Sequence, residues 1–233
     1  MLTVSCRVSI IGATGSGKSS FINDATGLKL PVSHDLDSCT KRIQATNMIL
    51  EGRPLVLLDT PGFGHSDLSD TEVLRLIGEY LANLYRNGIK LTGLVYMQRI
   101  SDPRFDSQAQ RYFGIFQGIC GHSNLDRTVV VTTRWNEIDA RVGNAREKEL
   151  ASGVFQPVLA ARGKVVRHDQ SVDSATEILR HALKKDARVV RIQSQLIDHD
   201  VELLSTEAGL KLSKNVEVVR PRGFKRWLRR LWG

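Results

Sequence analysis

At 233 residues the chain has room for one α/β domain of about 150 to 200 residues with an appendage. Its hydrophobic content of 41% and charged content of 25% lie near the globular average, which excludes a disordered or fibrous class. The net charge of +8 gathers toward the C-terminus, where Arg and Lys crowd residues 220–230 with no acid among them, so no specific nucleic-acid groove is expected in the body. Three separated cysteines, Cys6, Cys39 and Cys120, suit neither a disulfide framework nor a zinc site and point to a reducing compartment. The first strand-like run begins almost at once, leaving no room for a signal peptide, and no run approaches 18 apolar residues. The expected location is cytoplasmic, or peripheral to a membrane.

The first predicted strand, 7–11, runs into Gly12-Ala13-Thr14-Gly15-Ser16-Gly17-Lys18-Ser19-Ser20, which fits G-x-x-x-x-G-K-[ST]. In that setting the glycines let backbone N–H groups turn toward phosphate oxygens at a helix N-terminus. Gly12, Thr14, Gly15, Ser16, Gly17, Lys18, Ser19 and Ser20 are therefore candidate nucleotide-binding residues. Lys18 is expected to reach the terminal phosphates, and the Ser19 hydroxyl to ligate Mg²⁺. The following loop ends at Asp37-Ser38-Cys39-Thr40-Lys41, ahead of another strand, and offers Thr40 as a further ligand of Mg²⁺ and the γ-phosphate. The strand at 54–58 delivers Asp59-Thr60-Pro61-Gly62, in which Asp59 can hold Mg²⁺ through water and the Gly62 N–H can meet the γ-phosphate.

Ser69 with Glu72 makes a capping box for a helix whose stripe is Val73, Leu76, Ile77, Tyr80, Leu81 and Leu84. β-Branched runs at 92–97, 128–133 and 163–166, with helical spacing between them, complete a largely parallel sheet covered on both faces. Ser174 with Glu177 is expected to cap the last helix of the domain, which carries Ile178, Leu179, Ala182 and Leu183. From Arg188 to Ser213 one long polar helix is expected. Its Ile192, Leu196, Leu203 and Leu210 recur at heptad intervals, as a weak coiled-coil seam or as a face packed on the domain itself. After Pro221 and Gly223, a stripe of Phe224, Trp227, Leu228, Leu231 and Trp232 opposes Lys225, Arg226, Arg229 and Arg230, a pattern suited to an anionic membrane surface, with a helix docked on the domain itself and a basic arm for nucleic acid as the alternatives. The expected division is 1–186 for the nucleotide-binding domain, 187–218 for a helical extension and 219–233 for the basic amphipathic tail.

The segments GATGSGKSS, SCT and DTPG, in this order and spacing, resemble the septin-like branch of P-loop GTPases, especially the immunity-associated (GIMAP) proteins and the related fungal GTPases. The resemblance covers about residues 5–185 and is strengthened by Gln98-Arg99-Ile100-Ser101-Asp102 and by Val129-Val130-Val131-Thr132-Thr133-Arg134-Trp135. It implies an α/β fold, the three-layer P-loop NTPase G domain with a mostly parallel central sheet, here followed by a C-terminal helical extension. It also implies GTP and GDP as ligands with Mg²⁺, a slow GTPase switch, and a nucleotide-dependent homodimer.

Two departures from the family pattern matter. The guanine-reading stretch is Thr133-Arg134-Trp135-Asn136, and an Asn offers one acceptor and one donor where the family's Asp offers two acceptors, a loss of roughly 1–3 kcal/mol unless Glu137 or Asp139 takes the role. Trp135 either stacks on the base or covers the core, and the resemblance places His168 in the loop that completes base recognition. The position of the water-orienting Gln is Phe63, which implies slow hydrolysis, with His65, an arginine at Arg99 donated across a dimer, or Arg104 as candidate rescuers. A nucleotide-stabilised structural module and an ATP-using phosphotransferase are the competing classes, and the chain lacks any obvious lid or acceptor domain for the latter.

Overall fold

In the computed structural model, which describes residues 6–29 and 42–213, six strands form one sheet in the order β2-β3-β1-β4-β5-β6. These are β1 (Cys6–Gly12), β2 (Gln44–Leu50), β3 (Arg53–Asp59), β4 (Gly93–Arg99), β5 (Thr128–Thr133) and β6 (Lys164–Arg167). All pairings are parallel except that of β2 with β3, which are joined by a tight turn at Glu51 and Gly52. Thr40 and the tail at 219–233 lie outside the described residues.

Eight helices connect and cover the described strands: α1 (Lys18–Thr26), α2 (Asp70–Arg86), α3 (Ser107–Cys120), α4 (Ala140–Ser152), α5 (Gln156–Ala160), α6 (Val172–Ala182), α7 (Arg191–Ile197) and α8 (Glu207–Ser213). The central strands are apolar on both faces because each face is covered. Ile11 and Tyr96 pack toward α2 and α3, whereas Ile10, Val95 and Met97 pack with Phe21 of α1 and Ile178 of α6. This is the three-layer arrangement that the motifs imply.

Helix α2 starts where the sequence places it: the Ser69 hydroxyl accepts from the Glu72 N–H, and the Glu72 carboxylate accepts from the Ser69 N–H at 2.8 Å. Helix α6 does not. Its cap is Ser171, whose hydroxyl accepts from the Ser174 N–H at 3.1 Å, so the helix begins at Val172 and Ser174 lies inside its first turn. The expected capping pair of Ser174 and Glu177 fails because Ser174 Oγ is bonded to the Ser171 carbonyl and the His168 ring instead.

The single long helix expected over 188–213 is also broken. Arg188 bridges to Leu91 at the sheet's base, α7 ends at Ile197, Asp200 takes a positive φ of 49°, and α8 starts afresh at Glu207. The seam residues explain the break. The side chains of Ile192, Leu196 and Leu203 converge on Gly78 of α2, where an added Cβ would lie 3.0–3.4 Å from all three. The segment therefore spends its apolar face on its own domain, anchored by the Gln193 amide donating to the Leu81 carbonyl at 2.9 Å. Helix α8 lies against α3, where Gly118 brings the two backbones together. A Cβ at Gly118 would stand 2.5 Å from the Ala208 nitrogen. Gly118→Val is expected to destabilise the protein by about 1–3 kcal/mol through this overpacking. An unchanged midpoint in urea unfolding would show that α8 is not seated there in solution.

Candidate nucleotide site

Parallel pairing brings the C-terminal ends of β1, β3, β4 and β5 to one edge, with Ile10 beside Asp59, Gly12 beside Met97 and Arg99 beside Thr133. Gly12 has no room for a side chain: a Cβ there would stand 2.6 Å from the Met97 carbonyl oxygen. Gly15 and Gly17 take positive φ of 74° and 93°, which turns the chain into the N-terminus of α1. Lys18, the first residue of that helix, is buried and donates to the carbonyls of Ala13 at 2.9 Å and Gly12 at 3.3 Å. Burial pushes its pKa down to about 8, opposed by the Asp59 charge and assisted by Arg99. The Ser19 hydroxyl donates to Asp59 Oδ2 at 2.6 Å, joining the two predicted Mg²⁺ ligands across 40 residues of chain. A ring of backbone around a buried ammonium fits an oligophosphate, and a hydroxyl paired with a carboxylate fits a hard divalent cation.

The loop after β3 is stitched to the phosphate loop. Thr14 N–H donates to the Phe63 carbonyl at 2.8 Å, Phe63 N–H to the Gly12 carbonyl at 3.3 Å, and a Cβ on Gly62 would lie 2.5 Å from the Thr14 nitrogen. The Phe63 ring is fully buried and stacks on Tyr112 with centroids 5.4 Å apart, so it has no means of orienting a water. His65 is buried in the next turn, where its Nδ1 accepts from the Asp67 N–H at 3.0 Å.

Arg99 stands beside the phosphate loop of its own chain. Its Nη1 lies 3.3 Å from where a Gly15 Cβ would be, and its Nε pairs with Asp102 at 2.9 Å. Arg99 and Arg104 line one cavity of about 420 Å³ that reaches Ala13 of the phosphate loop. Arg146 of α4 holds the intervening turn, donating to the carbonyls of Ile100 at 3.0 Å and Ser101 at 3.1 Å. Nothing in the sequence around Arg146 marks it, because it sits on an ordinary polar helix face.

The residues expected at the base prove to be of two kinds. Thr133 Oγ1 donates to the Ser16 carbonyl at 3.0 Å, which ties β5 to the phosphate loop. Trp135 is half-buried and belongs to neither apolar cluster of the core. Its N–H donates to Thr132 Oγ1 at 3.1 Å, the Arg167 guanidinium lies 4.0 Å over the ring, and Gly143 of α4 abuts its edge. His168 is buried, with Nδ1 2.8 Å from Ser174 Oγ and Nε2 3.0 Å from Asp24 Oδ2, so both ring nitrogens are taken up by α1 and α6. Its pKa is lowered by burial against the opposing pull of Asp24. Asp139 caps α4, accepting from the Arg141 N–H at 2.9 Å, and Glu137 pairs with Arg134, itself held at a positive φ of 63°. Asn136, between them, is exposed.

The lowered pKa of Lys18 has a sign that can be checked. An unfolded lysine near 10.5 binds its proton where the folded one near 8 does not, so the stability of the ligand-free protein should rise between about pH 8 and 10.5. Lys18→Met is expected to remove that rise, which amounts to about 3 kcal/mol. Parallel pH profiles of wild type and variant by chemical denaturation would contradict the burial of a strained ammonium.

Residues 7–113 match the family model described as 50S ribosome-binding GTPase. GTP-binding protein A of Dictyostelium discoideum is 30% identical over 135 residues, which is 57% of this chain and 29% of that protein. The chain thus spans under a third of the curated relatives it matches. Among solved structures, Toc33 from Arabidopsis thaliana in complex with Mg²⁺ and GMPPNP superposes with a TM-score of 0.61 at 20% identity, over 80% of this chain and 88% of that one. A further match, described as showing that dimerization is important for the GTPase activity of the chloroplast translocon components atToc33 and psToc159, has a TM-score of 0.59 at 18% identity, over 78% and 85% of the two chains. These matches agree on the fold: a six-stranded sheet with a glycine-rich loop after its first strand, the fold of a P-loop GTPase domain.

Proposed function

We propose that this chain is a Mg²⁺-dependent guanine-nucleotide switch that hydrolyses GTP slowly to GDP and phosphate. The observation that carries the reading is the buried Lys18 ammonium beside the Ser19–Asp59 pair, a site that has charge to spend on phosphates and a ready bond to a cation. When bound, Mg²⁺ withdraws charge from the phosphate oxygens. The chain's own part is to hold the phosphates on its loop N–H groups, to bring Lys18 to them, and to align Asp59 and Ser19. Phe63 cannot direct the attacking water, which keeps the isolated domain slow.

Asn136 is exposed in the middle of the turn that follows β5 and is not consumed by the fold, unlike its neighbours. It is the residue through which base choice is made. Asn136→Asp restores two acceptors opposite the guanine N–H groups and should raise the preference for GTP over xanthosine triphosphate by about tenfold or more. Competition titrations against a fluorescent analogue measure this, and a wild-type preference for ATP would favour the phosphotransferase class instead.

Hydrolysis by the Toc proteins named above is tied to dimerization, and a nucleotide-driven homodimer of this chain is part of the same proposal. Arg99 supports a second variant of it, because its guanidinium already lies against Gly15 of its own chain. If Arg99 acts across a dimer, the rate per molecule rises with protein concentration and Arg99→Ala removes the rise at unchanged nucleotide affinity. A flat rate over a wide dilution series, lowered by the same substitution, assigns Arg99 to its own site; a flat rate that ignores the substitution removes Arg99 from the chemistry.

A further inference from the structure

The β2 edge of the sheet carries groups that the nucleotide site does not use. Among the described residues strand β2 pairs only with β3, and its residues Gln44-Ala45-Thr46-Asn47-Met48-Ile49-Leu50 include no charge and no proline. The register with β3 runs without a bulge from Gln44 opposite Asp59 to Leu50 opposite Arg53. Charges, prolines and bulges are the usual guards of an exposed edge, and this strand has none of them.

The turn tells which backbone groups are unused. Glu51 and Gly52 both have positive φ, 50° and 77°, as a two-residue hairpin of the type I′ class requires. In such a hairpin the flanking residues, Leu50 and Arg53, exchange both of their backbone hydrogen bonds. Alternation then turns Met48, Thr46 and Gln44 toward β3 and leaves the N–H and C=O of Ala45, Asn47 and Ile49 aimed away from the sheet. Pro54 agrees: it has no N–H and falls opposite Ile49, in a pair that needs none. The side chains of Ala45, Asn47 and Ile49 are exposed as well, and Ile49, at 73%, is the most exposed large hydrophobic among the described residues.

We propose that β2 docks on β2 of a second copy of this chain, antiparallel, across a two-fold axis at Asn47. The inference does not depend on the nucleotide reading. In this register Ala45 of each copy faces Ile49 of the other, Asn47 faces its twin, and Glu51, paired with Arg180 of its own chain, falls opposite Ile43 and next to Arg42, so no like charges meet between the two strands. The three outward-facing residues of each copy meet those of the other in hydrogen-bonded positions, which gives about six new backbone hydrogen bonds. The strand is its own complement in this respect: apolar, amide, apolar in either direction.

Because Asn47 lies on the axis, a charge placed there meets itself. In sedimentation velocity of the full chain without added nucleotide, wild type is expected to show a concentration-dependent dimer, and Asn47→Lys and Asn47→Asp are each expected to weaken it about tenfold or more. An equimolar mixture of the two variants should recover the dimer, since Lys then faces Asp. Unchanged nucleotide affinity in each variant reports an intact fold, as Asn47 is exposed and remote from the phosphate loop. The proposal is overturned by a wild type that stays monomeric at every concentration, by variants that dimerise as wild type does, or by a mixture that associates no better than its components.

Discussion

An ammonium buried among backbone carbonyls, at the end of a helix whose dipole already points its positive pole there, is costly to hold, and the surrounding architecture is what holds it. Lys18 sits at the first position of α1, against the helix dipole and near Arg99, and among the described residues Asp59 and the carbonyls of Gly12 and Ala13 oppose that. These groups arrive from β1, β3 and β4, so their meeting depends on sheet register. A slip of β3 by one residue would turn Asp59 to the other face and leave the lysine with carbonyls alone. The struts seen around the site serve the same end: Thr60 Oγ1 donates to the Ile10 carbonyl at 2.7 Å, and Thr133 Oγ1 to the Ser16 carbonyl. A bound polyanion replaces strain with attraction, which is why a site of this kind binds phosphates tightly.

What the sequence disclosed, and what it did not, divides along the range of the forces involved. The buried parallel strands announce themselves as runs of Val, Ile and Leu, and the phosphate loop as a motif, because both are local requirements of backbone and solvent. The same holds for Ser69 and Glu72, three residues apart on one turn. His168 shows the other case. The resemblance set it near a base, yet its ring is fixed by Asp24, 144 positions away, and nothing local foretells that partner. Trp135 likewise gives no local sign that Arg167 will lie over its ring or that Gly143 will abut its edge. The expected long helix failed for a related reason. Heptad spacing fixes only which side chains share a face, whereas Gly78 supplies the hollow that draws Ile192, Leu196 and Leu203 together and requires the chain to bend between them.

The seating of the last helices also sets an order of events as the chain folds. β1 is made first but lies in the middle of the sheet, between β3 and β4, so it remains without neighbours until residues near 59 and 99 have appeared. The faces of α2 and α3 around Gly78 and Gly118 wait longer still, for partners more than a hundred and about ninety residues downstream respectively. Until α7 and α8 arrive, those two helices present an apolar surface that nothing else among the described residues covers. A nascent or truncated chain that ends before Arg191 therefore contains every residue of the described nucleotide site and yet exposes a sticky flank, the circumstance in which chains associate with one another before they finish folding.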